Sequence, residues 1–237
     1  MSSQLGLFSL SAAALLAAPA LAGGKFAPPA GCAAFATVQL RNCQVSQHYR
    51  CEHDAPGDQW AVYMDGDGPF YMSRIDAETR WLDSFDLVTG ERDALLSETD
   101  PASFTTLITT GRDDYDFTTE SNTGEVRRYT GFDQLTGEKT VIDGVVLERT
   151  KFDLTAWTAE GEMIWRRVGR QFIHRDWRLF WADTEDFENG FGDRDTVVDT
   201  PVAFAQPGDK GFLSSEPLYD CDMMMTDTPP HGERPRS

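Results

Sequence analysis

Between residues 32 and 225 apolar and polar positions alternate in short runs broken by Gly, Asp and Pro, and helical spacing is scarce. A period of two with frequent turn residues predicts strands. Gln59–Met64 and Phe70–Ile75 are aromatic-rich runs flanking Asp65-Gly66-Asp67-Gly68-Pro69, which predicts a hairpin because glycine supplies the positive φ of a tight turn. Trp81–Val88 reads as the next strand. Asp100-Pro101-Ala102-Ser103, followed by Phe104, Leu107 and Ile108 at three- and four-residue spacing, predicts one short helix with Asp100 as its cap and Pro101 in its first turn.

The region from Asp114 to Ala182 reads as successive antiparallel hairpins. Tyr115–Thr119 turns through Ser121–Gly124 into Glu125–Phe132, and Lys139–Ile142 turns at Asp143-Gly144 into a long strand, Val145–Trp157. Ala159–Gly161 leads into Met163–His174, and Arg175-Asp176 into Trp177–Trp181. Strands joined this way lie in the sheet in chain order. At about 3.3 Å per residue the longest spans roughly 43 Å, over twice a typical strand, so its sheet must twist and coil. The expected fold class is all-β: a single antiparallel, strongly curved sheet or half-barrel meander with at most one or two short helices. Asp183–Asp199 reads as an acidic loop and Pro201–Ala205 as a late edge strand, and no fixed-period repeat occurs.

The first residues change the compartment. Met1–Ala22 carries no charged side chain and ends in Ala20-Leu21-Ala22, a small–any–small site suited to an export peptidase, although Lys and Arg are missing before the apolar core. That core, Leu5–Leu16, is too short for a bilayer anchor, and no later run is long and charge-free enough to span. The expected organisation is a signal peptide over 1–22, a flexible leader over 23–31, a β domain over 32–225 and a disordered tail over 226–237. Gly31-Cys32 resembles a lipoprotein cleavage site, but Pro29 stands where a Leu-like residue belongs, so a soluble chain in the periplasm or outside the cell is favoured.

Charge and cysteine then narrow the partners. The formal net charge of −18 disfavours nucleic acid, whose binding needs cations to displace phosphate counterions. Four cysteines, Cys32, Cys43, Cys51 and Cys221, imply two disulfides in an oxidising compartment. A bridge must tie the chain's two ends together, and the favoured pairing is Cys51–Cys221 with Cys32–Cys43. His48, Cys51 and His53 lie close in sequence but lack zinc-type spacing, so no metal or other cofactor is expected.

Candidate chemistry is sparse. No nucleophile elbow, zincin helix, P-loop or dinucleotide fingerprint is present. His174 is the best-placed histidine for acid–base work, yet it reads as a strand-end residue. Asp65–Gly68 departs from a calcium loop at Pro69, and the carboxylates from Asp183 to Asp195 fit no named loop. The aromatics Trp157, Trp165, Phe172, Trp177, Phe180 and Trp181 either fill a core or line a hollow, with Arg166 and Arg170, beside Arg167 and Arg149, as headgroup contacts. The ligand-site candidates are therefore Trp157, Trp165, Phe172, Trp177, Phe180, Arg166 and Arg170. The expected function is non-catalytic binding of a lipid-like or small amphipathic ligand, or of an envelope protein. The alternatives are an exported hydrolase using a carboxylate pair, and a structural or inhibitory surface domain.

Overall fold

The structure, a computed structural model, describes residues 24–224. The expected signal peptide and the tail beyond residue 225 lie outside the described residues. Thirteen strands and two short helices follow one another: β1 Cys32–Leu40, β2 Gln44–Cys51, β3 Gln59–Asp65, β4 Gly68–Ile75, β5 Trp81–Asp86, β6 Arg92–Asp100, α1 Phe104–Thr110, β7 Arg112–Ser121, β8 Val126–Ile142, β9 Val145–Thr158, β10 Met163–His174, β11 Leu179–Asn189, β12 Arg194–Val198, β13 Pro201–Ala205 and α2 Cys221–Met224. All strands belong to one antiparallel sheet in chain order, except that β13 crosses back to pair with β1.

Local chemistry explains the hairpins. Asp65 Oδ1 accepts from the backbone N–H groups of Asp67 and Gly68, so its carboxylate closes a turn. Asp143 and Gly144 both have positive φ, 48° and 80°, as a two-residue hairpin turn requires. The helix expected near residue 104 is α1, but Asp100 ends β6, and Ser103 caps the helix by accepting from Thr106 N–H.

Three further expectations are corrected. The half-barrel is the first: the strand order is linear, β12 and β13 end the sheet without pairing to each other, and it is neither closed nor strongly curled. The long strands carry irregularities: β8 has two extra residues between Leu135 and Lys139, and β11 has one, Asp183, opposite the Arg170–Gln171 step of β10, and such bulges bend a strand locally. The acidic segment from Asp183 is the second. It continues β11 and turns into β12, because its carboxylates are individually paired: Asp183 with Arg149, Glu185 with Arg167 and Glu188 with Arg194.

The third correction is the disulfide pattern, which is Cys32–Cys51 and Cys43–Cys221. Cys32 and Cys51 stand directly opposite each other on β1 and β2, a register that chain order does not reveal.

Two layers of packing surround β1 and β2. On one side Val38 and Leu40 meet Leu147, Phe172, Leu179, Trp181 and Phe204, so strands from both ends of the sheet share a core. On the other, Val45 and Tyr49 are covered by Phe26, whose N–H donates to Leu213 O. The 213–218 segment is held by buried polar side chains. Gln39 Nε2 donates to Glu216 O, Gln47 Nε2 donates to Ser214 O, and Thr37 Oγ1 accepts from Leu213 N–H.

The two bridges span 19 and 178 residues. Loop-closure entropy assigns about 3 kcal/mol to the shorter and about 5 kcal/mol to the longer. Urea unfolding of the Cys43→Ser/Cys221→Ser variant is therefore expected to show the larger loss, against Cys32→Ser/Cys51→Ser. Equal losses, or a larger loss from the shorter bridge, contradict this reading.

Candidate functional site

A cleft of about 540 Å³ opens among strands β4 to β11. Alternation along the strands builds its walls. On β8, Arg127 and Tyr129 share a face, opposite Thr119 and Phe117 of β7 and, for Tyr129, Ala156 of β9. On β10, Trp165 and Arg167 share a face, and Arg167 stands opposite Leu154. Residues one position away point to the other surface, which is why Arg166 pairs with Asp153 there.

The apolar part is an aromatic assembly. Phe117 and Tyr129 stack at 5.1 Å, Trp81 meets each of them edge-on at 5.5 Å, and Trp165 lies 5.9 Å from Tyr129. Trp81 is 41% exposed and also lines a smaller cavity of about 140 Å³ beside His48 and Phe180.

The polar part is a set of ion pairs. Arg127 donates to Glu125 and Glu91, both at 2.6 Å, and to Asp93 at 3.1 Å, and these carboxylates raise its pKa. Arg167 donates to Glu185 at 2.8 Å and lies over the Trp165 ring. Asp83 accepts from Arg74 at 2.6 Å and from Arg92. Burial pushes the Asp93 and Glu185 carboxyls up, against the lowering effect of Arg127 and Arg167 respectively. Thr119 Oγ1 and Asp93 Oδ1 are both buried without a hydrogen bond of good geometry, although the hydroxyl is near enough to lower the Asp93 pKa.

Of the sequence candidates, Trp165 lines this cleft. Phe172 is sealed in the shared core, with Trp177 packed against it. Phe180 meets Phe104 of α1 edge-on. Trp157 lines a separate hollow with Arg128, its indole N–H donating to Thr130. Arg170 is exposed on β10. A wider hollow of about 630 Å³ at β10–β12 contains Arg166, but its guanidinium groups are already engaged, Arg166 by Asp153 and Arg194 by Glu188.

Sequence reasoning missed Trp81, Asp93, Thr119, Arg127 and Tyr129. Parity along β7 and β8 was the available signal. Among the described residues, no group of three or more His, Cys, Asp or Glu is arranged to hold a metal ion, and Cys51 is committed to its disulfide. No helix among them is long and apolar enough to cross a membrane.

Beyond the cleft, Asp113 and Asp133 stand directly opposite each other on β7 and β8. Burial pushes Asp113 to about 6, and burial together with Asp113 pushes Asp133 to about 7. Two carboxyls with displaced pKa values are what a general acid and base need. Here Asp113 is only 7% exposed and accepts from Ser103 N–H, and neither residue lines the cleft.

Comparison with protein-family models, with curated proteins and with solved structures returned no match.

Both carboxyls hold a proton more tightly folded than unfolded. Their contribution to stability is present below the usual value of 3.8 and is lost as the pH rises through about 6 and about 7. His48 and His174, whose pKa values burial lowers, act in the opposite sense until unfolded histidines have lost their protons, so the two carboxyls are read from the difference between parent and variant. Relative to Asp133→Asn, the parent is expected to lose melting temperature as the pH rises from about 5 to about 8. The same pH dependence in parent and variant contradicts the assignment.

Proposed function

We propose that this is an exported protein that binds a small amphipathic ligand in the cleft among β4–β11, and that it acts by binding rather than by catalysis. The single observation that carries the proposal is the composition of the cleft. Trp81, Tyr129 and Trp165 offer an apolar surface, while Arg127 with Asp93 and Arg167 with Glu185 offer oriented polar groups. Apolar walls with a few fixed polar groups characterise ligand pockets, and the volume falls within their usual range. Export is supported by the uncharged segment 1–22 with its small–any–small end, and by two disulfides, which persist in oxidising compartments.

The carboxyl pair gives weaker support to the hydrolase reading. A catalytic acid and base must reach a substrate, and Asp113 and Asp133 do not line the cleft.

Native mass spectrometry of the protein isolated from the cells that make it tests the reading. A stoichiometric small-molecule adduct is expected. Its occupancy should fall about tenfold in Trp165→Ala, since one aromatic contact contributes about 1 kcal/mol beyond its buried area. A mass corresponding to the polypeptide alone, or equal occupancy in the variant, contradicts the proposal.

A further inference from the structure

We propose that the cleft's ligand is a neutral, hydroxyl-rich ring compound, a saccharide. The inference rests on the cleft being a binding site and goes on to name the chemical class.

The first argument is donor–acceptor balance. The wall presents N–H donors, from Arg127, Arg167 and Gln171, alongside carboxylate acceptors, from Asp83, Asp86, Asp93 and Glu185. An alkylammonium ligand only donates and an ionised carboxylate ligand only accepts, so each meets half of the wall. A hydroxyl does both.

The second argument is charge. Arg127 already faces Glu91, Asp93 and Glu125, and Arg167 already faces Glu185. An anionic headgroup finds no unpaired guanidinium among these residues, and inserting it would break an existing pair and bury a charge, which is costly. A neutral polyol bridges the pairs and leaves them intact.

The third argument is the polar group beside the aromatic rings. Thr119 is 4% exposed and lines the cleft, and its Oγ1 lies near the Asp93 carboxylate and the Tyr129 hydroxyl without a well-aligned hydrogen bond to either. Hydrogen bonds so poorly aligned leave donor and acceptor capacity in this group, which a ligand hydroxyl meeting Asp93, Tyr129 or Arg127 from the cleft takes up. Beside these polar atoms the aromatic group formed by Trp81, Tyr129 and Trp165 offers a surface for the C–H face of a sugar ring. An alkyl chain would cover those rings and offer nothing to the polar group.

The experiment is a titration of the purified full chain, followed by tryptophan emission, with a panel of neutral mono- and oligosaccharides, sulfated and sialylated saccharides, laurate and dodecylamine. Saturable binding is expected for at least one neutral saccharide, with affinity at least tenfold weaker in Thr119→Val and in Trp81→Ala. Thr119→Val should also keep the parent's melting temperature, because its hydroxyl makes no well-aligned hydrogen bond. A hydroxyl with a purely structural role gives the reverse, a lower melting temperature with affinity unchanged, and overturns the assignment. Binding of only charged saccharides, laurate or dodecylamine, abolished by Trp165→Ala, overturns the saccharide class and leaves the cleft reading standing. No binding by any member, together with an adduct-free native mass, removes both.

Discussion

The indole N–H of Trp181 donates to His48 Nε2 at 3.2 Å, and this contact joins β11 to β2, strands from opposite ends of one linear sheet. Each residue is only 1% exposed. Around them Phe204 meets Trp181 edge-on at 5.3 Å, and Val38, Leu147 and Phe172 complete the same cluster. A neutral imidazole is required there. Burial, reinforced by Arg50, lowers the His48 pKa to about 3, so the ring enters the core uncharged and able to accept from the indole. The rest of the arrangement follows from that layer. Side chains of β1, β2 and β13 there pack against those of β9–β11, and the cleft lies apart from this core among β4–β11.

The chain's termini reinforce the layer from outside. Thr37, Gln39 and Gln47 are buried polar residues on β1 and β2, and each is hydrogen bonded to the 213–218 segment. Cys43–Cys221 then fixes that segment covalently. Strands covered on both faces show runs of consecutive buried residues, as β1 and β2 do, instead of a clean alternation. The cleft strand β7 has one buried face, and its burial alternates from Asp113 to Ser121. Two kinds of strand within one sheet thus mark the part covered on both faces and the part covered on one.

Features set by neighbours in sequence were legible. The turns at Asp65–Gly68 and Asp143-Gly144, the limits of β10 and β13, and the chain-order meander all rest on local turn chemistry. Features set by distant partners were not. The pairing of Cys32 with Cys51 depends on the β1–β2 register, and the strand character of the acidic segment from Asp183 depends on arginines of β9, β10 and β12 that neutralise it. The candidate site was half visible. Trp165 stood out as a large aromatic, but its partners Trp81 and Tyr129 arrive from strands far away in sequence. Trp181, Phe172 and Trp177 belong to the core because they meet β1 and β13, which residue type alone does not reveal.

Nuclear magnetic resonance of the His48 ring nitrogens across pH tests the central layer most directly. The account predicts that this imidazole stays neutral from pH 7 down to about pH 4, with Nε2 as the hydrogen-bond acceptor, because the sheet's ends enclose it. A midpoint near the ordinary value of 6.5 contradicts it, for that ring would be standing in solvent and the two ends of the sheet would not meet.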